Sequence, residues 1–122
     1  MKMKIAVPTM GRNGLDDEVS PHFGRAPTFT IADTEKNEVK VIDNTSQHMG
    51  GQGYPPEIMR GEGVEVMLCS GLGPRAVTMF ENFGIDVFVG AAGTVKDAIA
   101  TWKEGKLPEA TDANACREHR HH

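Results

Sequence analysis

The sequence is short of cysteine, of long apolar runs and of positive charge, and each shortage removes a class of protein. Two cysteines among 122 residues, Cys69 and Cys116, are too few for a disulfide scaffold and too few for a four-cysteine metal site within one chain. No run approaches the roughly 18 apolar residues of a membrane span. Met1-Lys2-Met3-Lys4 leads straight into a short apolar strand, not into the apolar core of a signal peptide, so the expected location is the cytoplasm. The 13 Lys and Arg are scattered and outnumbered by 17 Asp and Glu, giving a net charge of −4. That argues against a nucleic-acid face built on phosphate neutralisation. Internal repeats and heptads are also missing, so neither a solenoid nor a coiled coil is expected. What remains is ordinary for a soluble globular chain, 39% apolar and 25% charged. Its length suits one domain that buries about two thirds of its unfolded surface.

The first half reads as strands. Lys4 to Pro8 is an apolar strand ended by proline, followed by a Gly/Asn loop that carries Asp16-Asp17-Glu18, read as solvated acids. Thr28 to Ala32 and Val39 to Ile42 alternate polar and apolar side chains around a turn at 33–37, which predicts a hairpin with one wet face. From Asn44 to Pro56 the composition turns to Gly, Ser, Gln and Pro, a long loop before a short helix at Pro56–Arg60. The second half changes period. Val64 to Cys69 and Ile85 to Val89 are nearly continuous in apolar character, as strands covered on both faces are. A helix bearing Ala76, Val77, Met79, Phe80 and Phe83 lies between them and stops at Gly84. A capping box at Thr94–Asp97 opens a last helix that ends at Gly105. The domain is expected to span 1–106, with 107–122 a disordered polar tail. An antiparallel meander followed by two βα units makes a mixed α/β sheet with helices packed on it.

One ordered series of segments carries a resemblance. It runs Ser20-Pro21-His22-Phe23-Gly24-Arg25-Ala26, the Phe29/Ile31 strand, Asn44 with His48, Cys69-Ser70-Gly71-Leu72-Gly73-Pro74-Arg75-Ala76, and Gly84-Ile85-Asp86-Val87. Over roughly residues 3–106 the chain resembles the dinitrogenase iron–molybdenum cofactor biosynthesis family, the NifX-like domain also found at the C-terminus of NifB. The resemblance implies a ribonuclease-H-like fold with a five-stranded mixed sheet in the order 3-2-1-4-5. It also implies a carrier of an iron–sulfur or iron–molybdenum-type cluster or its precursor, acting between donor and acceptor proteins, and no enzyme. Ribonuclease activity does not follow, because two-metal phosphoryl chemistry needs carboxylates on central strands and Lys4 to Pro8 has none.

Such clusters take thiolate and, in its place, imidazole. The candidate contacts are then His48, Cys69 and His22, with Cys116 and His119 as a soft pair in the tail. Cys69 ends a strand at the lip of the Gly71-x-Gly73 turn, where α/β sheets present ligand sites, although free cysteine is also commonly a core residue. If Phe23 points into the core, its neighbour His22 points outward. His48 is named by the resemblance, in a long glycine-rich loop. Met59, Met67 and Met79 read as core filler. A permanent electron-transfer cluster would want four strong thiolates. A carrier needs only one or two contacts for a cluster that brings its own ligands, in a monomer or shared across a homodimer.

Gly71-Leu72-Gly73-Pro74-Arg75-Ala76 also fits the Gly-x-Gly-x-x-(Gly/Ala) pattern between a strand and a helix. The acidic ribose partner expected at the end of the next strand is missing, since Gly90-Ala91-Ala92-Gly93 follows Val89. The alternative function is therefore a small nucleotide- or anion-binding module using the Gly71–Gly73 turn, with Arg25 or Arg75 nearby, and plain tight turns account for the same glycines.

Overall fold

The computed structural model describes residues 3–21, 23, 26–36, 38–44 and 55–110. Six strands and three helices alternate along it: β1 (Lys4–Thr9), β2 (Thr28–Asp33), β3 (Glu38–Asp43), α1 (Pro55–Gly61), β4 (Val66–Leu68), α2 (Pro74–Asn82), β5 (Asp86–Phe88), α3 (Val95–Lys103) and β6 (Glu109–Ala110), with a 3-10 turn at Gly14–Asp16. The sheet order is β3-β2-β1-β4-β5-β6. β1 pairs antiparallel with β2 and parallel with β4, and β4 pairs parallel with β5.

The mixed α/β sheet in the order 3-2-1-4-5 is thus present, and a sixth strand extends it. β6 pairs antiparallel with β5, Leu107 and Ala110 are buried, and the Val89 N–H donates to the Pro108 carbonyl at 3.0 Å. The sheet therefore runs past the expected boundary at 106. Two residues are too few to show a period, and the polar stretch after Pro108 hid them.

Period-2 alternation sorts the strand side chains between two layers. Ile5, Val7, Val66 and Leu68 face α3 and pack with Val95 and Ala98. Ala6, Phe29, Ile31, Met67 and Val87 face the other way and pack with Met59 of α1 and Val77 and Phe80 of α2. Met59 and Met67 are fully buried filler, as their positions in element interiors imply.

Three local expectations change. Pro8 does not end β1; it sits opposite Phe29, and its carbonyl accepts the Ser20 N–H at 2.8 Å. A strand residue's nitrogen points the same way as its carbonyl, so the proline takes no donor from the β1–β2 ladder. β2 has no wet face: this interior strand has all six residues buried. Its threonines find partners inside: Thr9 Oγ1 lies 2.7 Å from Thr28 Oγ1 and 3.0 Å from Thr30 Oγ1. The edge strand β3 does not alternate either: it is exposed or half-buried along its whole length, Val39 included. Asp17 is not a solvated acid either. It is buried, and its carboxylate accepts the Asn13 and Glu18 N–H groups at 3.0 and 2.8 Å, folding the turn around itself. Local N–H donors satisfy an aspartate that composition alone places in water.

The capping box is where the sequence puts it. Thr94 accepts the Asp97 N–H, Asp97 accepts the Thr94 N–H, and glycines with positive φ follow α2 and α3 at Gly84 and Gly105.

Candidate functional site

β1 is the strand at which the sheet changes direction: the antiparallel hairpin lies to one side and the parallel β4 and β5 to the other. Open α/β sheets bind ligands beyond the carboxyl ends of their strands at such a point. Here the chain fills the gap above β4 with its own segment. Val19 bridges Thr9 and donates its N–H to Gly93, and Ser20 bonds back to Pro8. The chain then leads to Phe23, whose ring packs on the α2-side core, with centroids 5.5 Å from Phe29 and 5.6 Å from Phe80. Phe23, partly buried, therefore packs against the core.

The floor is the turn from β4 to α2. Cys69 and Ser70 are tied to the turn after β5 by the Ala91 N–H to the Cys69 carbonyl, the Gly90 N–H to the Ser70 carbonyl, and Ser70 Oγ to the Ala91 carbonyl at 2.9 Å. Leu72 is buried and pins the turn between its two glycines. Neither glycine is demanded by the backbone. Neither has a positive φ, and a Cβ built on Gly71 or Gly73 meets nothing within 4 Å. Gly73 is the N-cap of α2 at φ −70° and ψ 157°, without a side-chain cap, and Pro74 opens the helix. Among the described residues nothing accepts the N–H groups of Arg75 and Ala76. Among the described residues the floor is thus open at its two glycines, and it carries the positive end of a helix.

Asn44 fixes the opposite wall. It is 1% exposed, its Nδ2 donates to the Ala26 carbonyl at 2.8 Å, and its N–H donates to Pro27 at 3.0 Å. The end of β3 and the start of β2 are thereby stapled at the same end of the sheet as the floor. This structural task was not legible in the sequence, where Asn44 is one polar residue in a polar stretch. Asn44→Ala should remove the buried side-chain bond to the Ala26 carbonyl and cost about 0.5–1.5 kcal/mol, read by urea unfolding.

Of the sequence-derived candidates, the structure places Cys69, Gly71 and Gly73 together. Cys69 lies beneath the floor: it is 1% exposed, belongs to the α2-side core, and its thiol donates to the Phe88 carbonyl at 3.8 Å. It shares a face with Met67 two positions earlier, and that face is interior. His22, Arg25, His48, Cys116 and His119 lie outside the described residues. Among the described residues no group of three or more His, Cys, Asp and Glu could hold a metal ion, and no helix is long and apolar enough to cross a membrane.

Known proteins resemble this chain in sequence and in fold. An uncharacterized protein of Methanocaldococcus jannaschii is 34% identical over 110 residues, 86% of this chain and 89% of the relative. The apo form of the orange protein from Desulfovibrio gigas superposes with a TM-score of 0.79 at 30% identity, over 88% of this chain and 92% of that one. A candidate NifB protein of Thermotoga, solved by NMR, gives a TM-score of 0.74 at 35% identity over the same shares, 88% and 92%. The model of the dinitrogenase iron-molybdenum cofactor family matches residues 1–105, and with that match over most of its length this chain belongs to that family.

Proposed function

We propose that the chain is a carrier. It holds an iron–sulfur or iron–molybdenum-type cluster, or a precursor of one, as cargo above the Gly71–Gly73 floor, and passes it from a donor to an acceptor protein without turnover. The observation that carries this reading is the floor: two glycines that the fold does not need, in front of helix N–H groups that nothing among the described residues takes up. A bare turn of this kind suits a bulky anionic guest whose sulfides or organic acid accept backbone N–H bonds. In this reading His22 and His48 supply exchangeable imidazole contacts, and Arg25 supplies charge. Cys69 supports the floor from below, since its thiol faces the interior. Membership of a family named for the iron-molybdenum cofactor supports the cargo class. So does likeness to one protein described as a candidate NifB and another solved in an apo form.

The test is anaerobic loading of the full chain with ferrous iron and sulfide, followed by desalting. Charge-transfer absorbance should stay with the protein. His48→Ala should weaken retention about tenfold, or about 1.4 kcal/mol, with an unchanged melting curve. No retained absorbance, together with a thermal shift by ATP or NAD, would replace the carrier by a nucleotide- or anion-binding module on the same turn.

A further inference from the structure

The α3 side of the sheet carries a second surface, separate from the floor. Here α3 packs over the central strands, and the Gly14–Asp16 turn reaches from α3 across to β3. Between them runs a groove made of two adjoining hollows of about 150 and 270 Å³ that share Leu15, Ile99 and Lys103. Its walls are apolar where Leu15, Val39 and Ile99 meet. Val39 is 41% exposed, one of two large apolar side chains left that open among the described residues. The α3 rim is basic. Lys96, Ile99, Ala100 and Lys103 line it at helical spacing, which sets the Cα atoms of the two lysines about 10 Å apart along the helix with an apolar centre between them. Neither lysine has an ion-pair partner among the described residues, whereas Lys40 and Lys106 do.

We infer that this groove docks an acidic amphipathic segment of a partner protein. Its apolar side chains would lie against Leu15, Val39 and Ile99, and its carboxylates would meet Lys96 and Lys103. Charge complementarity selects this occupant and its orientation. The strand side of the groove carries exposed Glu38 and buried Asp33, whose carboxylate already accepts the Glu35 and Lys36 N–H groups, so that side offers a carboxylate no donor, while the α3 side offers unpaired positive charge on a protein that is negative as a whole. The groove opens on the α3 face and the floor belongs to the α2 side, so cargo and partner can be held together. The inference does not depend on what the cargo is.

The test places the photo-cross-linker p-benzoylphenylalanine at Ala100 in the full chain expressed in its native cells, with exposed Glu81 on α2 as the control position. Cross-linked peptides are identified by mass spectrometry. The expected result is segments that combine apolar residues with at least two carboxylates. Lys96→Glu with Lys103→Glu should lower their yield at least fivefold, leaving the melting curve and iron–sulfide loading unchanged. A yield at Ala100 no higher than at Glu81 would overturn the inference. So would basic segments, a second copy of this chain, or residues 111–122 of its own chain as the captured partner.

Discussion

Gly73→Asp is expected to raise the melting temperature of the protein while abolishing its hold on cargo. The N-cap of α2 already has the extended φ and ψ that a capping aspartate adopts, and a Cβ there meets nothing within 4 Å. The new carboxylate would accept the N–H of Arg75 or Ala76 and sit at the positive end of the helix, a gain of about 0.5–1 kcal/mol. For a domain of this size that is a rise of a few degrees. The same carboxylate takes the donors and fills the space proposed for the guest, and its charge repels an anion. Retention should fall at least about a hundredfold, or about 2.7 kcal/mol. Gly73→Ser separates the two effects, because its hydroxyl caps the helix without charge; it should stabilise less and weaken retention less. A Gly73→Asp protein that melts higher and keeps its cluster would move the seat away from the floor.

That floor was legible because its parts are written consecutively: an apolar strand, two glycines, and a proline at the first helical position. α3 was legible for a similar reason, with Thr94 and Asp97 at capping-box spacing before a 3.6-residue period. The failures share a cause, which is that neighbours far away in sequence decide burial. Thr28 and Thr30 look wet until Thr9 is set beside them by β1 pairing. Asp17 looks solvated until the chain turns its own N–H groups onto it. β6 consists of two residues, too few to show a period, and its place is set by pairing with β5. Cys69 is a different case: its place at a strand end was right, and its face was decided by alternation with Met67, which turns the thiol inward. Asn44 shows the limit most clearly, since a buried amide that staples two strand ends has no sequence signature apart from its partners.

Phe80→Ala should be strongly destabilising. Phe80 is fully buried on α2, and truncating a core phenylalanine costs about 3–5 kcal/mol through lost transfer energy and the cavity left behind. That is a large share of a typical stability of about 5–15 kcal/mol, so the urea midpoint should fall sharply. The loss should also reach the proposed site. The Phe80 ring meets Phe23 edge to face at 82°, and Phe23 in turn packs on Phe29, so one aromatic cluster ties α2 to the segment bearing His22 and Arg25. Phe23→Ala should cost less, because Phe23 is only partly buried, yet it cuts that segment's anchor while leaving the α2 N–H groups in place. Its effect should therefore fall more on cargo retention than on stability. The double variant decides whether the cluster acts as a unit. Rings in this geometry add about 0.5–1.5 kcal/mol beyond their buried area, so the combined cost should fall short of the sum of the single costs by about that amount. Costs that add within about 0.3–0.5 kcal/mol would mean that Phe23 and Phe80 pack independently and that α2 reaches the site through its glycine turn alone.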